Sequence, residues 1–187
     1  MTLTNAPLIR TSSIFSTRAP WGAPEYNPRM ETVVRTMGEL EAEAARFAAT
    51  LGPQVEGATL VTLSGELGAG KTVFVKALAK VLGIEDTVTS PTFVLEKIYS
   101  LTDTKCPSAA DGHLVSVKGF RRLVHIDAYR LDEHESLAPL GFDELMRDHS
   151  NLILLEWPER VAGLPEPTER IHFEPHLDGS RTLSYGN

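Results

Sequence analysis

The sequence contains a single cysteine, Cys106, among 187 residues. One thiol cannot form an intramolecular disulfide or a cysteine-based zinc cluster, which excludes the small secreted folds that disulfides hold together. The lack of disulfides agrees with a reducing compartment, so a cytoplasmic location is expected. Hydrophobic residues make up 42% of the chain and charged residues 23%, which is the composition of an ordinary globular domain with a real core.

Long hydrophobic runs and an excess of positive charge are also missing. Apolar runs such as residues 152–155 fall far short of the roughly 20 residues that cross a bilayer, so we expect no membrane partner. The chain has 18 Lys and Arg residues and 25 Asp and Glu residues, which gives a net charge of -7. Because contacts to phosphate need clustered cations, this balance argues against broad non-specific binding to nucleic acid and leaves open only a local basic patch.

The first 30 residues differ in composition from the rest. They contain four prolines and many Ser and Thr residues, and their hydrophobic residues follow no helical or strand period. We predict that residues 1–30 form a flexible extension and that residues 31–187 form one domain. An organellar transit peptide is the alternative for the extension, because it carries Arg and little acid. Residues 100–121, with Pro107, Gly112 and Gly119, predict an inserted surface loop or hairpin within the domain.

Hydrophobic periodicity predicts alternating strands and helices over the domain. Thr36 and Glu39 have the spacing of a capping box, and Leu40, Ala44 and Phe47 follow at helical spacing, so a helix is predicted there. A second helix is predicted over residues 71–82. Strands are predicted at residues 31–36, 58–65, 92–99, 122–127, 151–156, 170–175 and 181–186. This alternation predicts an α/β fold whose sheet has an antiparallel C-terminal edge.

Residues 65–72, GELGAGKT, match the P-loop pattern G-x-x-x-x-G-K-[ST] and lie between a predicted strand and a predicted helix. Glycines at these positions let successive backbone N–H groups surround phosphates, and the helix N-terminus adds positive potential. Lys71 is expected to reach the outer phosphates, and Thr72 to offer its hydroxyl to Mg²⁺. The backbone of the loop and of the next residue completes the predicted phosphate site: Gly65, Gly68, Ala69, Gly70 and Val73. The alternative is a glycine-rich turn that happens to end in Lys and Thr.

A nucleotide-bound Mg²⁺ also needs a carboxylate, and two predicted strands end in one. Asp127 follows RLVHI, and Glu156 follows NLILL. Ligands bind at the carboxyl ends of strands in open α/β sheets. We therefore predict Asp127 and Glu156 as catalytic residues together with Lys71, and as the metal site together with Thr72. The alternative for each acid is a strand-terminal carboxylate that only faces water.

Two further features concern the nucleotide. The segment TSPTF places Ser90 and Thr92 in a loop after the P-loop helix, where a hydroxyl or a backbone group can meet the γ-phosphate; an ordinary turn is the alternative. The guanine-recognition sequence N-K-x-D does not occur, which favours adenine. The histidines form no H-E-x-x-H zinc motif, and His125 is expected to be an ordinary packed or surface strand residue.

Taken together, these motifs resemble one family. The segments SGELGAGKT, SPTF, HIDAYRL, LGFDEL and LLEWPER, in this order, resemble the TsaE (YjeE) family of small bacterial P-loop ATPases over residues 31–186. The resemblance implies a P-loop NTPase-like, three-layer α/β fold with a mixed, mainly parallel central sheet and antiparallel C-terminal edge strands. It also implies ATP and Mg²⁺ as cofactors and places Thr36, Met37 and Trp157 at the nucleotide.

The resemblance further implies a role in making threonylcarbamoyladenosine at position 37 of tRNA. In that family the protein binds a TsaB–TsaD heterodimer, and its ATP binding and hydrolysis support turnover of that complex, so tRNA is met only through the complex. Two features depart from the family pattern: Val73 stands where many relatives have Thr, and the insertion at 100–121 is longer than usual. A small-molecule P-loop kinase and a nucleotide-gated assembly module with little turnover are the alternative functions.

Overall fold

The computed structural model describes residues 30–84, 91, 95–101, 119–132 and 135–186. Nearly all of the predicted extension and most of the predicted insertion at 100–121 lie outside these residues, as do Ser90, Thr92 and Cys106. The flexible extension, the surface insertion and the nucleotide contacts of Ser90 and Thr92 stay predictions. Among the described residues, no helix is both long enough and apolar enough to span a bilayer.

One mixed sheet forms the centre of the fold. Its strands are β1 (Met30–Val34), β2 (Thr59–Gly65), β3 (Glu96–Ser100), β4 (Arg122–Asp127), β5 (Asn151–Glu156), β6 (Glu169–Pro175) and β7 (Arg181–Gly186). Their order across the sheet is β1-β7-β6-β2-β5-β4-β3. The central strands β6, β2, β5 and β4 run parallel, β3 is antiparallel at one edge, and β7 and β1 are antiparallel at the other. The predicted α/β class with antiparallel C-terminal strands is confirmed, and β1 adds one more strand outside β7.

The central strands owe their position to continuous hydrophobic runs. Every residue of β5 is buried, and β2 is buried from Thr59 to Leu63. Most residues of β1 are exposed or only partly buried, as suits an edge strand. A parallel strand that is covered on both faces needs a run without alternation. The strands that lead into the P-loop and end at Glu156 therefore lie side by side in the middle of the sheet.

Helices α1 (Met37–Thr50) and α2 (Lys71–Val81) cover one face of the sheet. The capping box predicted for α1 is present in part: the Thr36 hydroxyl accepts a hydrogen bond from the Glu39 N–H at 3.1 Å, whereas the Glu39 carboxylate accepts one at 2.6 Å from the N–H of Arg35, one residue before the cap. The apolar sides of both helices join one core with the sheet. Its large members include Leu40, Phe47, Phe74, Leu78, Leu154 and Phe173.

A thinner layer covers the opposite face. Helix α3 (Phe142–Arg147) and short 3₁₀ turns pack there against the sheet. This second core contains Val124, Ile126, Leu131, Leu137, Phe142, Leu145, Ile153 and Leu155. The molecule therefore has the three layers that the family resemblance implies.

Strand β3 begins later than predicted. It starts at Glu96, and Leu95 before it has a positive φ of 64°, a left-handed conformation that ends an extended strand. The Leu95 N–H donates to the Pro91 carbonyl at 2.7 Å, and the Leu95 carbonyl accepts from the Asp127 N–H at 2.9 Å. Leu95 is therefore hydrogen-bonded both to Pro91 and to the end of β4.

A polar cluster fixes the starts of β4 and β5, at the end of these strands opposite to the P-loop. The Asp148 carboxylate accepts hydrogen bonds from the Ser150 N–H, the Ser150 hydroxyl and the Arg122 guanidinium. Arg122 also donates to the Asn151 side-chain carbonyl at 2.9 Å. The hydrogen bonds from Ser150, followed by the one from Arg122, lower the pKa of Asp148 to about 2. The charged carboxylate is thus the form that holds the two strand starts together.

We expect Asp148 to titrate near pH 2 in the folded protein, below its ordinary pKa of 3.8. Because the folded-state pKa is lowered, the cluster stabilises the fold above the unfolded-state pKa, and this stabilisation is lost as the pH falls through the folded-state value. Carboxyl chemical shifts followed by NMR during acid titration measure the midpoint. Ser150→Ala should raise it, and an ordinary midpoint in the wild-type protein would contradict the described hydrogen bonds.

Candidate nucleotide-binding site

The loop at residues 65–72 connects β2 to α2 with a backbone that requires glycine. Gly65, Gly68 and Gly70 have φ values of 131°, 83° and 103°. A Cβ added at Gly65 would lie 2.3 Å from the Phe173 carbonyl oxygen, so a side chain has no space there. Gly70 immediately precedes the first residue of α2. The first N–H groups of a helix have no intrahelical partner, and the motif predicts that those of α2 bind phosphate.

Lys71, the first residue of α2, folds back over its own loop. Its ammonium group donates to the Gly65 carbonyl at 2.7 Å and to the Glu66 carbonyl at 2.9 Å. It also lies 3.7 Å from the centre of the Trp157 ring, within the range of a cation–π contact. Burial lowers the pKa of Lys71, and the carboxylates of nearby acids, Glu156 foremost, oppose that shift. The lysine is therefore a cation already enclosed within the loop.

The Glu156 carboxylate connects the P-loop helix to two strands. One of its oxygens accepts a hydrogen bond from the Thr72 hydroxyl at 2.9 Å, and the other lies 2.8 Å from His125 Nε2. Glu156 and His125 are both fully buried. Because a buried carboxylate needs partners for its oxygens, the two contacts determine where it lies.

Asp127 lies directly beside Glu156, since the two residues are register partners at the carboxyl ends of β4 and β5. The Asp127 carboxylate accepts a hydrogen bond from the Tyr129 N–H at 3.1 Å and thereby caps a short 3₁₀ turn. This turn places the Tyr129 ring 5.1 Å from the Trp157 ring, centre to centre. The two acids predicted at strand ends therefore lie side by side at the carboxyl ends of the parallel strands.

Trp157 follows Glu156 in a left-handed conformation, with φ 61° and ψ 53°. This conformation costs free energy for a residue with a bulky side chain, and non-glycine residues that adopt it concentrate at functional sites. The Trp157 N–H donates to the Leu63 carbonyl at 3.1 Å. The turn ends β5 abruptly and places the indole against Lys71.

The three predicted metal ligands offer the oxygen donors that Mg²⁺ prefers. Thr72 and Glu156 are in contact, and Asp127 is the neighbour of Glu156 across the sheet. In the described part of the chain, no group of three or more His, Cys, Asp and Glu side chains could hold a metal ion by itself. Mg²⁺ bound with a nucleotide takes its remaining ligands from water and phosphate, so the donor set fits that ion.

The other predicted nucleotide contacts lie in the loop, in α2 and at the start of α1. Ala69 is buried within it, and Val73 lies in the first turn of α2. Thr36 and Met37 lie at the start of α1, and Met37 is largely exposed.

Comparison with known proteins decides the family. Residues 39–183 match the family model described as Threonylcarbamoyl adenosine biosynthesis protein TsaE. The chain belongs to the TsaE family. The resemblance predicted from the sequence motifs is thereby confirmed.

Individual proteins of known name or structure are also similar to this chain. The tRNA threonylcarbamoyladenosine biosynthesis protein TsaE of Treponema pallidum is 34% identical over 152 residues, which cover 81% of this chain and 98% of that protein. The protein of the same name from Streptomyces coelicolor is 38% identical over 117 residues, covering 62% and 68%. The crystal structure of Bacillus subtilis YdiB is similar with a TM-score of 0.56 and 28% identity, covering 83% of each chain.

His125 lies in this TsaE-family site, although no motif in the sequence predicts a role for it there. The sequence predicts an ordinary packed or surface strand residue at this position, whereas His125 contacts Glu156 in the structure. Its position two residues before Asp127 was an available signal, because alternate residues of a strand share a face. His125 Nδ1 has no hydrogen-bond partner among the described residues, which leaves the contact with Glu156 as the polar contact described for this ring.

We expect His125→Leu to lower the free energy of unfolding by about 2 kcal/mol, because a buried Glu156 oxygen loses its partner. His125→Gln, whose amide can donate a hydrogen bond, should lose less. Urea unfolding of both variants measures the difference, and His149→Leu, at an exposed position shortly before β5, serves as the control. Equal stability of His125→Leu and wild type would show that the contact does not position Glu156.

Proposed function

We propose that the protein binds and hydrolyses ATP in the presence of Mg²⁺, and that this activity supports a TsaB–TsaD complex in the synthesis of threonylcarbamoyladenosine on tRNA. The observation that carries the ATPase part is the contact between Thr72 at the start of α2 and Glu156 at the end of β5. It joins the phosphate-binding loop to a carboxylate at the metal end of the site, and ATP hydrolysis needs both.

The loop residues perform the binding. Backbone N–H groups at the start of α2 receive the phosphate oxygens, and their direction is set by the glycine conformations of the loop. Lys71 would leave the Gly65 and Glu66 carbonyls and donate to the outer phosphates, which are stronger acceptors because they are charged. The Trp157 ring then faces the space from which the ammonium group has moved.

The carboxylates act at the γ-phosphate end. Mg²⁺, held by Thr72, Glu156 and Asp127, would neutralise charge that develops on the phosphates. The remaining Glu156 oxygen is kept in place by His125, so the carboxylate can orient a water molecule for attack on the γ-phosphorus. Attack breaks the bond between the γ-phosphorus and the β–γ bridging oxygen and releases ADP and phosphate.

The tRNA-modification part rests on family membership. The Treponema and Streptomyces relatives carry the name of this biosynthesis, and the sequence motifs of the TsaE family imply the TsaB–TsaD heterodimer as partner. Stimulation by the partner, without any requirement for a small acceptor molecule, separates this function from that of a metabolite kinase.

Lys71→Ala should weaken ATP binding at least tenfold, because it removes the motif cation that reaches the outer phosphates. Isothermal titration calorimetry with Mg-ATP measures the affinity. Lys80→Ala is the matched control, since Lys80 lies on the same helix and pairs with Glu41 on the surface. Unchanged affinity in Lys71→Ala would contradict the P-loop assignment.

Glu156→Ala should keep Mg-ATP affinity within a few-fold and lower the hydrolysis rate at least a hundredfold, as expected when a group acting in the transition state is removed. The assay measures phosphate release with and without the TsaB–TsaD pair from the same organism. The wild type and the control Glu144→Ala, on the exposed side of α3, should both be stimulated by the pair. Wild-type turnover in Glu156→Ala would remove the residue from the mechanism, and lack of stimulation in the wild type would contradict the partner.

A further inference from the structure

Arg181, the first residue of β7, lies against the P-loop although more than a hundred residues separate them in sequence. A Cβ added at Gly70 would lie 2.2 Å from Arg181 Nη1 and 3.2 Å from Arg181 Cζ. The guanidinium therefore covers the backbone of the loop at Gly70. The absence of a side chain at Gly70 allows this close approach, in addition to the positive φ that the residue adopts.

The sheet order places Arg181 on the side of the loop away from the acids. Glu156 and Asp127 end β5 and β4, which lie on one side of β2, whereas β6, β7 and β1 lie on the other. Arg181 pairs with Val34 at the end of β1, two residues before the Thr36 cap of α1. The guanidinium and the start of α1 thus share the side opposite to the metal ligands.

This placement defines which part of a nucleotide can reach Arg181. The acids and Thr72 mark the end of the site that receives the γ-phosphate. A nucleotide whose β-phosphate occupies the loop must extend its α-phosphate and nucleoside in the other direction, toward β7 and α1. Thr36 and Met37, which the family resemblance places at the nucleotide, lie on that side, at the start of α1.

No partner among the described residues neutralises the charge of Arg181. Its side chain is partly buried, and within the described ranges no hydrogen bond or ion pair engages its guanidinium. Other arginines near the surface have such partners, as Arg170 has in Glu166. An unpaired guanidinium beside a phosphate-binding backbone is suited to hydrogen bonding with a phosphate oxygen.

We propose that Arg181 binds the α-phosphate of the nucleotide and is a second cation of the site besides Lys71. The inference rests on the proposed nucleotide binding and assigns it a residue from β7 that lies outside the P-loop motif. Because ATP and ADP share the α-phosphate, Arg181 contributes equally to the binding of both, and it does not select the triphosphate.

The test compares Arg181→Met, which keeps an apolar stem over Gly70 and removes the charge, with Arg181→Lys, which keeps the charge. Calorimetry should show that Arg181→Met lowers the affinity for Mg-ATP and the affinity for Mg-ADP by a similar factor, about tenfold. This is the loss expected for one charge-assisted hydrogen bond. Arg181→Lys should lose less. Arg121→Met is the matched control, because Arg121 is exposed and precedes β4 at the opposite end of the sheet.

A second measurement addresses the α-phosphate itself. The two diastereomers of adenosine 5′-(1-thiodiphosphate) place sulfur on different α-oxygens, and the ratio of their affinities should move toward one in Arg181→Met. An unchanged ratio would overturn the α-phosphate assignment, as would loss of ATP affinity without loss of ADP affinity. If Arg181→Met binds both nucleotides like wild type while Lys71→Ala does not, Arg181 only packs against the loop and the proposed nucleotide site stands. If neither the wild type nor any variant binds nucleotide, the proposed function itself fails.

Discussion

The rest of the site depends on one buried carboxylate. Glu156 is held between the Thr72 hydroxyl and the His125 ring, so α2, β4 and β5 meet at a single charged group. Such a group is costly to bury unless its oxygens are satisfied, and it therefore favours the one arrangement in which helix and strands stand at these distances. The core behind it, formed by α1, α2 and the central strands, supplies the rigid frame. The position of the P-loop relative to the acids follows from that frame.

Trp157 links the two ends of the site. Its left-handed backbone ends β5 one residue after Glu156 and places the indole beside Lys71. Lys71 of the P-loop is consequently in contact with Trp157, the residue that follows Glu156. The strain of that backbone is balanced by the Trp157 hydrogen bond to Leu63 and by the ring contact with Tyr129. The P-loop and the end of β5 are for this reason in direct contact.

Local patterns in the sequence predicted much of this structure. The continuous run NLILLE marks β5 because a strand buried on both faces needs no alternation, and GELGAGKT marks the β2–α2 loop because its glycines must adopt positive φ. The proximity of Asp127 to Glu156 was also predictable, because the carboxyl ends of parallel strands lie at the same end of the sheet. The contact of His125 with Glu156 depends on strand register, and the contact of Arg181 with Gly70 depends on the pairing of β7 with β6 and β1. No local pattern encodes those pairings, so neither contact was predicted.

The central claim is that residues 65–72 together with Glu156 form one nucleotide site whose protein contacts are exchanged for contacts to nucleotide. A crystal structure of the protein with Mg²⁺ and a non-hydrolysable ATP analogue tests it most directly. We expect the Lys71 ammonium to have left the Gly65 and Glu66 carbonyls for the outer phosphates, with Glu156 still within hydrogen-bond distance of His125. A nucleotide bound elsewhere, with the Lys71 and Thr72 contacts unchanged, would contradict the account.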